Sequence, residues 1–149
     1  MLFTKSAYAE ELKRPKQVMA FYYTWYGTPS YGGRWVHWDE GGHHPDDMAK
    51  PGHRDIGATN HPYPDVYDSN EPELIQRQLA LCEEMGIDAL IATWWGINDY
   101  HDRAFKAIIA EANKREKTKL TVYYEVVSNP VGIASAVKDL MYILDTYGD

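Results

Sequence analysis

Three short apolar segments alternate with amphipathic ones along this chain, and that alternation constrains the fold more than any other feature. Residues 17–23, 87–95 and 120–127 are rich in β-branched and aromatic side chains, as buried strands are. Each apolar run is followed, after a loop, by an amphipathic segment that carries apolar residues at helical spacing. Buried strands alternating with helices indicate a parallel sheet with right-handed crossovers. The sequence therefore predicts an α/β fold, a parallel β-α-β-α-β-α unit.

The predicted helices carry recognisable start and stop signals. Ser69 or Asn70 is predicted to cap the first helix, and Gly86 is predicted to end it. The second helix is predicted over residues 102–115, and the third ends at Gly148. Because helices of this length bury one apolar face, each is expected to pack against the sheet.

The chain divides into an N-terminal arm and one domain. Residues 1–16 are polar and charged, residues 17–149 form the domain, and residues 24–70 are predicted to be one long loop inside it. The unit resembles the first three βα units of a (β/α)8 barrel, which needs roughly 200 residues or more, whereas this chain has 149. We therefore expect self-association or a partner chain to cover the open strand edges and complete the barrel.

Composition excludes several classes of function. The 15 basic residues face 22 acidic ones, a net charge of −7, which argues against nucleic-acid and anionic membrane surfaces as partners. The apolar runs are far shorter than a membrane span, and no signal peptide is visible at the N-terminus. The single cysteine, Cys82, excludes an intrachain disulfide framework.

Aromatic side chains cluster where the predicted strands end, and they make up 13% of the chain. The C-terminal ends of parallel strands share one rim, where such folds bind ligands. The three ends carry YYTWYG (22–27), TWWG (93–96) and YYE (123–125). Rings beside a carboxylate suit a carbohydrate, whose C–H faces pack on aromatic planes and whose hydroxyls need polar partners.

Glu125 is the candidate catalytic residue. A carboxylate among β-branched and aromatic residues is costly to bury unless it is paired, and its strand-end position suits proton transfer. Pairing with a neighbouring Arg or Lys is the structural alternative. Adjacent strand residues face opposite sides of a sheet, so one of Trp94 and Trp95 is expected to be a core residue.

The 24–70 loop contains most of the histidines, interspersed with aspartates. Their spacing matches no standard metal-ligand pattern, so no metal is predicted. Neither a glycine-rich phosphate loop nor a dinucleotide fingerprint occurs, so no cofactor is predicted. The histidines of this loop are His37, His43, His44, His53 and His61.

Several motifs together resemble glycoside hydrolase family 99, the endo-α-mannosidase and endo-α-mannanase family. The most specific is AFYYTWYGTP (20–29), which is followed by GRWVHW (33–38). Weaker matches are DIGA (55–58), PYP (62–64), YDS (67–69), EPELI (71–75), GIDAL (86–90) and TWWG (93–96). The resemblance runs from about residue 17 to the end of the chain.

The resemblance implies a (β/α)8 barrel that cleaves internal α-mannosidic bonds with retention, outside the cytoplasm and without a metal. In the family's proposed route, one carboxylate helps the substrate's 2-hydroxyl attack the anomeric carbon and another acts as acid and then base. Glu125 lies where the family places a catalytic Glu. Candidate substrate-binding residues are Tyr22, Trp25, Tyr26, His37, Trp38, Trp95 and, beside Glu125, Tyr124.

Two functions from different classes follow. The first is a glycosidase acting on α-mannosidic or related α-linked glycans, with Glu125 as acid or base. The second is a non-catalytic carbohydrate-binding or assembly module derived from the same fold. Residues 126–129 supply no second carboxylate, which favours the second function.

Overall fold

The structure, a computed structural model, describes residues 16–115, 117–125 and 132–148. Of the predicted N-terminal arm, only Lys16 lies within the described residues. In chain order the elements are β1 (Met19–Tyr22), α1 (Pro29–Gly32), a 3-10 turn (Glu40–Gly42), β2 (Met48–Lys50), β3 (His53–Arg54), α2 (Pro72–Glu84), β4 (Ala89–Trp94), α3 (Tyr100–Ala112), β5 (Lys119–Tyr124) and α4 (Ile133–Tyr147).

Strands β1, β4 and β5 form a parallel sheet with β4 in the centre. Phe21 pairs with Ile91, and Ile91 pairs in turn with Thr121. The predicted α/β unit of alternating parallel strands and helices is confirmed. Strands β1 and β4 are shorter than their apolar runs, because residues at both ends of each run lie in the flanking loops. Residues 126 and 127 of the third predicted strand lie outside the described residues.

Alternate strand residues face the helices and form the core. Leu90 of β4 packs with Ile75 and Leu79 of α2 and with Ile108 of α3. Further along the same strand, Ala92 and Trp94 form a second cluster with Phe105 and Ile143. The helices are held to the sheet chiefly by removal of this apolar surface from water.

The opposite face of the sheet is open. Met19, Phe21 and Tyr123 are each more than a third exposed, although Phe21 and Tyr123 pack edge to face with ring centroids 5.3 Å apart. In a closed barrel this face is the interior, where bulky side chains fill the space. The fold thus presents an apolar inner face and two open strand edges.

The predicted cap of the first helix is wrong. Helix α2 has Glu71 at its N-cap and begins at Pro72, whose fixed φ suits a first helical residue. Ser69 is used elsewhere, because its Oγ accepts a hydrogen bond from the Tyr26 amide at 3.1 Å. Gly86 follows the helix with φ 72°, a left-handed conformation that favours glycine, as predicted.

The segment predicted as one long loop, residues 24–70, contains short elements and a fixed path. Helix α1, the 3-10 turn and the β2–β3 hairpin lie within it. The buried carboxylate of Asp68 accepts hydrogen bonds from the Thr28 amide at 2.9 Å and the Tyr100 hydroxyl at 2.6 Å. These bonds tie both ends of the segment to α3.

No helix within residues 16–115, 117–125 and 132–148 is long and apolar enough to cross a membrane.

Candidate functional site

The candidate site lies at the rim formed by the C-terminal ends of the three parallel strands. Threonines hold the first two ends together: the Thr24 hydroxyl donates to the Thr93 carbonyl at 2.9 Å, and the Thr24 amide donates to the Thr93 hydroxyl at 3.2 Å. The Glu125 amide donates to the Trp94 carbonyl at 3.1 Å. The residues that follow each strand therefore start from a shared, hydrogen-bonded edge.

Four rings gather on this rim, and we call them the rim cluster: Trp25, His37, Trp95 and His101. The Trp25 ring centroid lies 4.9 Å from that of His37 and 6.2 Å from that of Trp95. His101 lies 5.7 Å from Trp95 and 6.0 Å from His37. Three of these residues were predicted from the sequence, and the structure brings them together.

A strained turn places His37 in the cluster. Its φ of 59° is left-handed, which costs a non-glycine residue roughly 1–2 kcal/mol. Two contacts hold the turn: Gly27 and Val36 exchange backbone hydrogen bonds at 3.1 Å, and His37 Nδ1 lies 2.6 Å from Glu40 Oε1. Gly27 is needed because a Cβ there would approach Val36 to 2.8 Å.

Tyr26 and Trp38 form the floor behind the rim cluster. Their rings stack with centroids 3.8 Å apart, and the Trp38 indole donates to the Tyr67 carbonyl at 2.9 Å. Trp38 is 2% exposed, so it supports the site from behind. The pKa of Tyr26 is raised, chiefly by burial and secondarily by the charge of Glu40. The pKa of Tyr67 is raised to about 12, chiefly by burial and secondarily by the neighbouring Tyr26.

Two predicted sugar-binding residues face the helices instead. The Tyr22 hydroxyl donates to Gln78 of α2, and burial raises its pKa. Tyr124 stacks on Trp94 at 5.8 Å and donates to Asp139 of α4 at 2.8 Å. Both share the strand parity of the buried core residue Trp94. This placement speaks against sugar contact by Tyr22 and Tyr124, and we leave them out of the proposed site.

Trp95 and Glu125 have the opposite parity and belong to the open side of the rim. The prediction that one of Trp94 and Trp95 is a core residue is confirmed by the full burial of Trp94. Trp95 Nε1, His101 Nε2 and Glu125 Oε2 are buried polar atoms with no hydrogen-bond partner among the described residues. Unpaired buried polar atoms of this kind mark places where a ligand or another chain segment can bind.

Sequence reasoning missed the buried carboxylate beneath the rim, Asp102. It accepts hydrogen bonds from the Trp94 indole at 2.9 Å, the Asn98 amide at 2.9 Å, and the hydroxyls of Tyr142 and Tyr147. Burial alone would raise its pKa, but these hydrogen bonds lower it below the ordinary value. The sequence did contain an indication of its burial: Asp102 lies three residues before Phe105, which places it on the apolar face of α3.

His101 was also missed. It is the second residue of α3, two positions after the N-cap Asp99, and its Nδ1 lies 3.0 Å from Asp99 Oδ2. The sequence pattern that could have identified it is a histidine in the first helical turn after a strand that ends at the rim.

The loop histidines make local contacts. His43 Nδ1 lies 2.6 Å from Asp55, and hydrogen bonds from His43 and the His44 amide lower the pKa of Asp55. His53 and His61 pack edge to face. Within the described ranges, no group of three or more His, Cys, Asp or Glu side chains is placed to hold a metal ion.

A parallel βα unit with stacking rings and a carboxylate on its C-terminal rim is the architecture of part of a (β/α) barrel, a fold class that binds its ligands at this rim. Comparison with known families makes this specific. The family model for glycosyl hydrolase family 99 matches residues 14–149. The chain belongs to glycosyl hydrolase family 99, and the resemblance found in its sequence motifs is confirmed.

Its relatives include endo-mannosidases from vertebrates and bacteria. The glycoprotein endo-alpha-1,2-mannosidase of Rattus norvegicus is 27% identical over 154 residues, which are 89% of this chain and 31% of that protein. A glycoprotein endo-alpha-1,2-mannosidase-like protein of Danio rerio is 26% identical over 149 residues, 86% of this chain and 32% of that protein. The chain thus spans about a third of the length of the curated relatives it matches.

Solved structures agree. The family 99 endo-alpha-mannosidase from Bacteroides thetaiotaomicron superposes with a TM-score of 0.70 at 30% identity, covering 89% of this chain and 40% of that chain. A second structure of that enzyme, in complex with bis-tris-propane, gives 0.70 at 28% identity, with coverage of 91% and 37%.

Proposed function

We propose that this chain provides the first three βα units of a glycosidase that acts on α-mannosidic glycans. The observation that carries the proposal is Glu125, whose Oε2 is buried, has no hydrogen-bond partner in the part of the chain that the structure describes, and lies on the same rim as the stacking rings. The names of the relatives, endo-mannosidases in each case, support the choice of substrate. The vertebrate relatives are named for action on glycoproteins, which favours a site of action outside the cytoplasm.

The proposed chemistry divides between rings and carboxylate. The C–H face of a mannose residue packs on Trp25 or Trp95, which positions the glycosidic bond. Glu125 then transfers a proton, either to the leaving glycosidic oxygen or from the attacking hydroxyl. Retention follows if the substrate's own 2-hydroxyl attacks first and water attacks second, since each displacement inverts the anomeric carbon.

Product release from a manno-oligosaccharide with internal α-1,2 bonds tests this proposal. We expect the purified chain, in the associated form that completes the barrel, to release a shorter oligosaccharide whose first-formed anomer, observed by proton NMR, is α. An associated, folded chain that binds the oligosaccharide and releases nothing would contradict catalysis. A β-anomer as the first product would contradict retention while leaving hydrolysis intact.

Replacement of Trp95 by alanine is expected to weaken manno-oligosaccharide binding about tenfold or more, because a stacking surface is lost from the rim. Titration followed by calorimetry measures the change. Trp35→Ala is the matched control, since the Trp35 indole is engaged by Asp46 at 3.2 Å in the 24–70 segment. Equal affinities in the wild type and in both variants would remove Trp95 from the site, provided that circular dichroism shows the folds intact.

A non-catalytic carbohydrate-binding or assembly module is the second candidate function. The observation that favours it is the open face of the sheet together with an apolar face on α4. The apolar residues that form this face of α4 recur at helical spacing, and each is about half exposed or more. They are Ile133, Val137, Leu140, Met141 and Leu144. We propose that a second copy, or a partner chain with further βα units, covers this face and completes the barrel.

The double variant Leu140→Glu, Leu144→Glu is expected to weaken association, because it puts two charges into the apolar face. Light scattering across a concentration series should give a mass above 17.1 kDa for the wild type and a mass nearer to that value for the variant. Lys138→Glu on the exposed side of α4 changes the net charge by the same −2 and serves as the control. A wild-type chain that stays monomeric at 17.1 kDa would contradict self-association.

A further inference from the structure

His101 is held in one orientation by the cap of its own helix. Asp99 Oδ1 accepts a hydrogen bond from the Asp102 amide at 2.8 Å, and Asp99 Oδ2 lies 3.0 Å from His101 Nδ1. A carboxylate can only accept, so Nδ1 carries the hydrogen. In the neutral imidazole, Nε2 is therefore a hydrogen-bond acceptor.

The acceptor atom, His101 Nε2, is buried at the candidate site. His101 Nε2 is one of three buried polar atoms without a partner among the described residues, together with Trp95 Nε1 and Glu125 Oε2. Trp95 lies between the other two residues. Its ring centroid is 5.7 Å from that of His101, and it directly follows Trp94, whose carbonyl accepts a hydrogen bond from the Glu125 amide. A buried polar atom left unpaired costs about 1–3 kcal/mol, which a ligand supplying the missing bonds recovers.

The types of the three atoms select the chemistry of the ligand. Trp95 Nε1 is a donor only, whereas ionised Glu125 and the Nδ1–H form of His101 are acceptors. A phosphate or carboxylate group could satisfy only the donor, and an ammonium group only the acceptors. A hydroxyl both donates and accepts, so one or two neighbouring hydroxyls match the set.

We infer that Trp95, His101 and Glu125 form a hydroxyl-binding subsite for a sugar ring, in which His101 accepts a hydrogen bond from a sugar hydroxyl and Asp99 fixes the imidazole tautomer. The inference rests on the proposed function, since it names a polar contact of the same site. It adds to that function a binding residue, His101, and a positioning residue, Asp99.

Asp99→Asn is the decisive variant. Asparagine is as good an N-cap as aspartate, so α3 keeps its start. Its side-chain amide donates to Nδ1, which moves the ring hydrogen to Nε2 and turns the acceptor into a donor. We expect α-1,2-mannobiose to bind about tenfold more weakly to Asp99→Asn and to His101→Ala. The matched control is His44→Ala, an exposed histidine of the 24–70 segment, which should bind as the wild type does.

Nitrogen-15 NMR of the histidine rings provides a readout that a purely structural role would not change. In the wild type we expect the Nδ1–H tautomer of His101, a shift of its Nε2 signal on titration with α-1,2-mannobiose, and the Nε2–H tautomer in Asp99→Asn. An Nε2–H tautomer in the wild type would overturn the inference.

The failure of this inference differs from a failure of the proposed function. If mannobiose shifts the backbone signals of Trp95 and Glu125 but leaves the His101 ring unchanged, His101 is not a binding residue and the proposed function stands. If mannobiose shifts no rim signal in a folded wild-type chain, both proposals are overturned.

Discussion

Replacement of Asp102 by alanine is expected to lower the free energy of unfolding by about 3–5 kcal/mol, which makes it the most destabilising single change we predict. The carboxylate is fully buried and accepts hydrogen bonds from β4, from the loop after it, and from α4. Alanine leaves these donors buried without an acceptor, at the cost of desolvating each one. Because Trp94 and α4 are both held by Asp102, the loss reaches the strand end that carries the site.

Urea denaturation at pH 7 measures this effect, with Asp145→Ala as the control because Asp145 is an exposed acidic residue of α4. Asp145→Ala is expected to change the unfolding free energy by less than about 0.5 kcal/mol. A loss in Asp102→Ala no larger than that in the control would contradict a structural role for the network.

The same network gives a pH dependence with a definite sign. The pKa of Asp102 is lowered in the folded state, so its stabilisation is present above the ordinary aspartate pKa of about 4 and is lost as the pH falls through the folded value. The difference in unfolding free energy between wild type and Asp102→Ala should therefore shrink as the pH falls below about 4. A constant difference down to pH 2 would show that the charge of Asp102 contributes nothing.

The order of strands and helices was predictable from the sequence because it rests on local patterns. Apolar runs and helical spacing identify β1, β4 and β5 and the helices between them, and Gly86 ends α2 as expected. Boundaries were less predictable. Ser69 was predicted as a cap, but its hydroxyl is taken by the Tyr26 amide, a partner 43 residues away that no local pattern indicates.

The candidate site was predictable as a location but only partly in its composition. Strand parity correctly indicated that one of Trp94 and Trp95 is a core residue. The same rule applied to Tyr22 and Tyr124 would have assigned both to the helix-facing side. His101 could not be assigned from strand ends, because it lies in a helix and reaches the rim only through the packing of α3 against β4.

Replacement of Glu125 by glutamine is expected to lower turnover of an α-1,2-linked manno-oligosaccharide by about 10²- to 10⁴-fold, the range that proton transfer by a positioned side chain contributes. Glutamine keeps the shape of the side chain but cannot exchange the proton. Binding should stay within a few-fold of the wild type, because the rings of the rim cluster are unchanged and the side-chain carbonyl of glutamine still accepts a hydrogen bond. Glu84→Gln, an exposed residue at the end of α2, removes one carboxylate elsewhere and should leave turnover unaltered.

The leaving group of the substrate then separates the possible roles of Glu125. If Glu125 protonates the glycosidic oxygen, an aryl mannoside with a good leaving group should recover most of its turnover in Glu125→Gln, since that bond breaks without an acid. If Glu125 takes a proton from the attacking hydroxyl, both substrates should be slowed alike. If turnover is preserved and only KM rises, Glu125 binds the sugar without transferring a proton. Unchanged kcat and KM in Glu125→Gln would remove Glu125 from the site, and the binding or assembly function would then be the better account of this chain.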